Sequence, residues 1–461
     1  MKLPFLNRTN ELDRIRRVLQ TPEPAIVVIY GRRRCGKSRL INQLGAHTII
    51  YHLADQSEPS IQRSNAAQDI SREFSDFSGA VYPTWESLLR AYFAHNKANN
   101  ANKALVIDEF PYLVQLDSAL PSIIQKLYDT GAFSGHLILC GSSQRMMHGL
   151  VLDDSAPLYG RAAEIIKVYP LAPGWVRPAL QVESADAVKA YSIWGGVPRY
   201  WEAALPFDSL ESAVAELVFN RNGLFHHEPH RLLKDDMRSD VQPHSLLSVI
   251  AAGAHRLSEI AGRIGKQASS LSNPLNLLID LGYIKREIPF GESTKSTKRS
   301  LYRLCDPFLL FWYRFVYPSL SLLEQDVVGP VMQDWRTGFG HHLGRIWEEL
   351  ARLTVPRIAI GGVQWKEAHR WWGRDLQGRM REIDVVAESM DGSRILIGEA
   401  KWRSHDEVRR IVHRLQHVSE SAPFAAGKKT VHAIWLPDAT ATECEGCAII
   451  DAHQALETLR Y

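Results

Sequence analysis

AIVVIYGRRRCGKSRL (residues 25–40) joins three pieces of local structure in an order that limits the choice of fold. The apolar, β-branched run from Ala25 to Tyr30 reads as a buried strand. Gly31 to Ser38 fits G-x-x-x-x-G-K-[ST] at every fixed position, and a helix-compatible segment follows. Gly31 and Gly36 allow a tight backbone in which successive N–H groups point inward, a concavity suited to phosphate, and the following helix adds its positive end. The nucleotide contact is therefore expected along Gly31, Arg32, Arg33, Arg34, Cys35, Gly36, Lys37, Ser38 and Arg39. Lys37 is placed to reach the β- and γ-phosphates of ATP as a point charge, and the Ser38 hydroxyl to ligate the Mg²⁺ that accompanies them. Arg32, Arg33 and Arg34 occupy the variable part of the motif and read as a solvated basic rim.

Composition sets outer bounds. The chain has 461 residues, 45% of them hydrophobic and 23% charged, with a formal net charge of +3. That length suggests about two to four domains, and so small a charge says nothing by itself about nucleic acid. No apolar run reaches the roughly 18 residues of a membrane span, and the N-terminus lacks a secretory signal, so a cytoplasmic location is expected. The cysteines, Cys35, Cys140, Cys305, Cys444 and Cys447, are few and irregularly spaced, which suits a reducing compartment. Cys444 and Cys447 form a C-x-x-C pair, but no second pair completes a structural zinc site.

Working outward from the loop, residues 5–19 show helical spacing, and His47 to Ala54 reads as a strand. The stretch around Trp85 to Phe93 reads as helical. Ala104 to Phe110, ALVIDEF, is a buried strand that delivers two carboxylates at its C-terminal end. Asp108 there is expected to hold Mg²⁺ through its water shell, and Glu109 to be the base that polarises the attacking water. His136 to Gly141 is a further strand. Ser142 or Ser143 after it is a candidate γ-phosphate sensor, with a loop cap as the plain alternative. Arg161, in PLYGR, is a candidate for stabilising transition-state charge, in cis or in trans, an effect worth ~10³ to 10⁵ in rate where it operates, with a surface ion pair as the plain alternative.

FLNRTNEL, GRRRCGKS, LVIDEF, LILCGSS, PLYGR and Trp194 to Tyr200 (WGGVPRY) together resemble, in order, the signatures of the archaeal-type ATPases, a branch of the AAA+/STAND P-loop ATPases. The resemblance implies an ASCE-type parallel core with an extra strand between the two Walker strands. It also implies a helical lid from Pro173 in which Pro198 packs near the nucleotide. Asn7 departs from the family, which usually has Gly at that position.

His244 to Phe290 has the rhythm of three short helices and a strand, followed by a basic tip (Lys295, Lys298, Arg299) and a second strand, a winged helix-turn-helix. Gln267 to Leu278 is the expected recognition helix, with Lys266, Gln267, Ser269, Ser270 and Asn273 as candidate contacts to DNA or to a protein surface. Asp306 to Tyr313, DPFLLFWY, resembles the linker that joins these ATPases to a C-terminal domain of the DUF234 type, and its aromatics read as core.

Beyond the linker, Glu348 lies on a helix, Asp384 on a strand in REIDVVA, and Glu399 and Lys401 on the next strand in ILIGEAKW. Alternation along a strand puts Glu399 and Lys401 on one face, where Asp384 can join them. Two carboxylates and a lysine on one face suit metal-dependent phosphodiester cleavage. Asp384, Glu399 and the Ala400 carbonyl are expected to bind Mg²⁺ with Glu348 completing the site, and Lys401 to hold or deprotonate the attacking water. The pattern is similar to that of the PD-(D/E)XK nucleases, with a structural salt-bridge network as the plain alternative. Arg374, Arg379, Arg381, Arg403 and Arg409 are candidate phosphate contacts, and Trp371 and Trp372 read as sheet cover.

The expected fold is α/β and multidomain. A P-loop core (1–172) is followed by a helical lid (173–235), a winged helix-turn-helix (236–306), a helical linker (307–335) and a restriction-endonuclease-like α/β domain (336–461). The expected function is an ATP-hydrolysing switch coupled to a nuclease acting on DNA, with ATP and Mg²⁺ as cofactors, no membrane partner, and a homo-oligomer left open. The reading kept beside it is a non-catalytic regulator whose ATP state controls winged-helix binding.

Overall fold

The computed structural model describes residues 3–461 except Leu152, Ser155, Lys298 and the stretches 238–240, 294–296, 403–407 and 439–445, and without the Ser78 side chain. Lys295, Lys298, Arg403 and Cys444, singled out from the sequence, lie outside the described residues. The chain divides into two compact units, one formed by Phe5–Pro170 with Lys234–Arg238, the other by Met1–Pro4, Leu171–Leu233 and Ser239–Tyr461.

The first unit is built on a five-stranded sheet in the order β2-β3-β4-β1-β5. Its strands are β1 (Ala25–Tyr30), β2 (Ile49–Leu53), β3 (Ala104–Asp108), β4 (His136–Gly141) and β5 (Ala162–Lys167). All neighbours run parallel, so every strand's C-terminal end opens on the same edge. Parallel strands covered on both faces read as continuous apolar runs, and β1, β3 and β4 are buried almost throughout. Burial of each Ile or Val there contributes roughly 1.5–3 kcal/mol. Since β4 lies between β1 and β3, the strand inserted between the Walker strands is present. Asn7 and Arg8 have φ of 56° and 74°, left-handed values that Asn tolerates better than most residues. Asn at position 7 is thus compatible with the backbone it has to adopt.

The second unit opens with helices. Ser184–Trp194 ends at Gly195, with φ 58°, and Pro198 starts the next helix, Pro198–Ala204. Between them a Cβ on Gly196 would lie 2.0 Å from the Leu171 carbonyl oxygen, so only glycine fits. The winged-helix segment forms as Val241–Ala251, Leu257–Ile264 and Ser272–Asp280, followed by an antiparallel hairpin of β6 (Ile284–Glu287) and β7 (Leu301–Leu304). The expected recognition helix is broken: Ala268–Leu271 is a 3-10 turn and the α-helix starts only at Ser272. Its candidate contacts, Lys266, Gln267, Ser269, Ser270 and Asn273, are all exposed. The Asp306 carboxylate caps the next helix, accepting from Leu309 N at 2.7 Å, and Phe308 to Tyr313 are buried.

A second five-stranded sheet closes this unit, in the order β12-β11-β10-β9-β8. It comprises β8 (His369–Arg374), β9 (Met380–Glu388), β10 (Arg394–Ala400), β11 (Lys429–Trp435) and β12 (Cys447–Ile450). β8, β9 and β10 pair antiparallel, while β10, β11 and β12 run parallel. The long helix Val328–Thr354 packs on it: Trp347 donates to the Trp435 carbonyl at 3.1 Å, and Trp435 to Thr354 Oγ1 at 3.0 Å.

Glu349 on this helix meets Lys285 of β6 at 2.5 Å and Arg352 at 2.9 Å. Burial pushes its carboxyl up, but Lys285 and Arg352 outweigh that and hold it down at about 2. A folded-state value below the unfolded one contributes stability that is complete above about pH 4.5 and is lost as pH falls toward 2. The melting temperature should therefore drop across that window. In Glu349→Gln it should start lower and drop less, which melting curves between pH 6 and 3 will register.

Candidate functional site

The P-loop leaves β1 at Gly31, whose φ is 146° and where a Cβ would lie 2.3 Å from the Val168 carbonyl oxygen. Gly36, with φ 93°, precedes the helix Lys37–Asn42. Lys37 is buried, and its ammonium donates to the loop's own carbonyls, Gly31 O at 2.9 Å and Arg32 O at 3.3 Å. The expected solvated arginine rim is not what forms. Arg32 is only 6% exposed, and Arg33 closes on Asp235 at 2.9 Å. Arg34 has a left-handed φ of 70°. The tightly turned loop draws Arg32 inward, while the Arg33 side chain, still 41% exposed, is turned sideways onto Asp235.

At the mouth of the loop, Ser38 Oγ donates to Asp108 Oδ2 at 2.7 Å, and the Tyr51 hydroxyl donates to the same oxygen at 2.6 Å. Burial, then the Asp108 charge, raises the Tyr51 phenol far above its ordinary value, so it stays a donor. A hydroxyl and a carboxylate at this separation form a hard-oxygen donor set that fits Mg²⁺. Glu109 adopts φ 55°, ψ 39°, which turns its side chain toward β4, where Ser142 donates to Glu109 Oε2 from N (3.2 Å) and Oγ (2.8 Å). The two serines are thereby told apart. Ser142 touches the carboxylate, whereas Ser143 Oγ accepts from Met146 N at 3.4 Å, at the start of the helix Gln144–Val151.

Arg161 stands elsewhere. It precedes Ala162, which pairs with Ile26 near the start of β1, while the loop end of β1, Tyr30, pairs with Lys167. Arg161 is thus on the sheet edge away from its own chain's phosphate cradle, and its guanidinium grips both oxygens of Asp129 at 2.9 Å. This removes the cis option, because parallel strands put all loop ends on the opposite edge. Two acidic residues that sequence reasoning passed over reach the nucleotide side instead: Asp235 pairs with Arg33, and Asp236 accepts from Gln144 N at 2.9 Å. Their sequence signal was the bare pair Asp235-Asp236, indistinguishable from a helix-end acidic patch.

In the second unit, Asp384, Glu399 and Lys401 meet. Lys401 Nζ lies 2.7 Å from Glu399 Oε1 and 3.8 Å from Asp384 Oδ2, and Ala400 N donates to Asp384 Oδ2 at 3.2 Å. Glu348 stands close enough that, after burial, the Asp384 charge raises its carboxyl above the ordinary range. Sequence reading missed Arg414, which contacts Glu399, and Arg352, which donates to the Asp384 carbonyl at 2.7 Å. All three carboxylates are hard oxygen donors, a set that fits Mg²⁺ or Mn²⁺. The expected phosphate arginines are partly spent on loop closure. Arg379 and Arg381 both close on Asp375, at 3.0 and 3.2 Å, and Arg374 donates to Gly378 O at 2.8 Å. Arg409 is exposed, and Trp371 is core, edge-on to Phe424.

Residues 5–203 match the family described as an ATPase domain predominantly from Archaea, and residues 312–411 match DUF234, archaeal and bacterial proteins of unknown function. The chain carries an archaeal-type P-loop ATPase domain joined to a DUF234 domain. It is 28% identical over 434 residues to an uncharacterized protein of Methanocaldococcus jannaschii, covering 90% of this chain and 92% of that one. The Walker-type ATPase of Pyrococcus abyssi shares the fold, with a TM-score of 0.53 at 19% identity over 67% of this chain and 96% of that one.

Within the archaeal-type ATPase domain as matched, Pro198 falls near the C-terminal limit and belongs to the second compact unit, whereas the P-loop belongs to the first. The DUF234 match takes in Glu348, Asp384, Glu399 and Lys401. Among the described residues, no helix is long and apolar enough to cross a membrane.

Proposed function

We propose that the ATPase domain is an ATP-hydrolysing switch that governs a metal-dependent nuclease site in the DUF234 domain, acting on DNA in defence or DNA processing. The observation that carries the nuclease half is the meeting of Asp384, in the middle of β9, with Glu399 and Lys401 at the C-terminal end of the neighbouring β10, with Glu348 beside them.

At the ATPase site, the loop N–H groups cradle the phosphates. Lys37, whose ammonium is held at the loop by the Gly31 and Arg32 carbonyls, supplies a point charge to the phosphate oxygens. Ser38 and Asp108 are the residues that would hold Mg²⁺, which would supply charge neutralisation on the phosphates. Glu109 accepts a proton from the attacking water, and Ser142 fixes the orientation of that carboxylate. Pro198 is assigned to the lid's response to nucleotide. Arg161 is read either as serving the nucleotide of a neighbouring copy or as a surface ion pair with Asp129, the contact it makes here.

At the nuclease site, Asp384, Glu399, Glu348 and the Ala400 carbonyl would hold a divalent ion, whose chemistry there would be to make water more acidic and to screen charge on the phosphate oxygens. Lys401 orients that water or takes its proton. The test is cleavage of single- and double-stranded DNA and RNA in Mg²⁺ or Mn²⁺. The parent should cut at least one form and Asp384→Ala none; a parent that cuts nothing, with or without ATP, removes the nuclease half.

A second reading is favoured by the exposed polar face at Lys266, Gln267, Ser269, Ser270 and Asn273. On that reading the winged helix is a DNA- or protein-binding module controlled by ATP. Its mark is salt-sensitive DNA binding that needs Lys37 and survives replacement of Asp384.

A further inference from the structure

Next to Glu348 lies a recess lined by β6, β7, the long helix and β8, with about 40 Å³ of room, and it shares Lys285, Glu287, Glu349, Arg352 and Arg370 with an outer cleft of about 490 Å³. The winged-helix hairpin is fastened over it. Phe290 N donates to the Arg370 carbonyl at 3.0 Å, Arg299 donates to the Trp372 carbonyl at 3.2 Å, and Lys285 reaches Glu349.

Charge inside the recess is unbalanced. Lys285, Arg303, Arg345, Arg352 and Arg370 line it against Glu287, Glu348 and Glu349. Most of these cations have partners: Arg303 with Glu287 at 2.9 Å, Arg352 with Glu349, and Arg370 with Glu382. Arg345 has no ion-pair partner among the described residues. Burial, then the neighbouring Arg303 and Arg314, lowers its guanidinium to about 10. Arg370 is likewise lowered by burial and then by Arg303, and its Nε is buried without a hydrogen-bond partner. A water needs about 10–15 Å³ of such room, so the recess suits the few oxygens of one phosphodiester and excludes a base. Guanidinium is the group best matched to those oxygens.

We propose that Arg303, Arg345 and Arg370 form a pocket for one backbone phosphate of a nucleic-acid strand, so that the winged-helix hairpin and the DUF234 sheet together hold the strand beside Glu348. The inference rests on the nuclease reading for its choice of nucleic acid. Arg345 serves binding rather than stability: a partly buried cation without an ion-pair partner destabilises the fold. Arg345→Gln, which removes that charge, should therefore melt no lower than the parent while losing affinity.

The experiment uses the full chain carrying Asp384→Ala, so that nothing is cut, with labelled single- and double-stranded DNA and RNA titrated at several salt concentrations. Adding Arg345→Gln should weaken binding roughly ten- to hundredfold and make the log–log salt slope shallower by about one phosphate contact; the exposed Arg410→Gln should change neither. Unchanged affinity and slope overturn the pocket even if the parent cuts DNA. Unfolding of Arg345→Gln also overturns it, since it makes the residue structural. So does a response to inorganic phosphate, read as a rise in melting temperature, without any to nucleic acid. Conversely, Arg345-dependent binding by a parent that never cuts leaves the pocket standing and removes the nuclease.

Discussion

Glu109→Gln should bind ATP as tightly as the parent and release phosphate roughly 10²- to 10⁴-fold more slowly. The carboxamide oxygen can still accept from Ser142 N and Oγ, so the left-handed turn at Glu109 and the end of β4 keep their contacts. What is lost is the negative charge that polarises water. Phosphate release gives the rate and a fluorescent ATP analogue the affinity. Parent-like turnover would move the base elsewhere, whereas lost affinity would mean that Glu109 supports the cradle instead of the reaction.

Lys401→Ala should reduce cleavage by about 10² or more while leaving ATP turnover and Mn²⁺ binding in place. The Lys401 side chain is 40% exposed and touches Glu399 at 2.7 Å, and Glu399 keeps Arg414 when the lysine is gone. The variant therefore keeps its carboxylates and loses only the group that handles water. Cleavage at the parent rate would leave Lys401 as a simple ion-pair partner.

Much of the architecture was legible because it is written in short-range patterns. The apolar runs of β1, β3 and β4 give buried parallel strands, and the glycines of the P-loop mark backbone geometry that only glycine meets. Strand alternation put Glu399 and Lys401 on one face, and Asp384 joined them only on the expectation that its strand is their neighbour. Long-range side-chain pairing was not legible. Nothing local to Arg33 announces Asp235, and nothing in Arg379 and Arg381 announces that Asp375 takes them both. Arg161 shows the same limit. Its motif gave a residue type, and only the strand register showed which edge it occupies. The docking of β6 and β7 on the long helix through Lys285 and Glu349 likewise joins residues whose separate sequence contexts read as an ordinary wing and an ordinary helix face.

The claim that joins both halves of the chain is that nucleotide at the P-loop controls cleavage at Asp384 and Glu399. It is measured by cutting rates of the parent, Lys37→Ala and Asp384→Ala with ATP, with ADP and with no nucleotide. The parent should change its rate at least about tenfold between nucleotide states, a coupling of typical size. Lys37→Ala should hold one rate in all three, and Asp384→Ala should cut in none. A parent that cuts equally fast in every nucleotide state, or whose nucleotide response survives Lys37→Ala, would contradict the coupling.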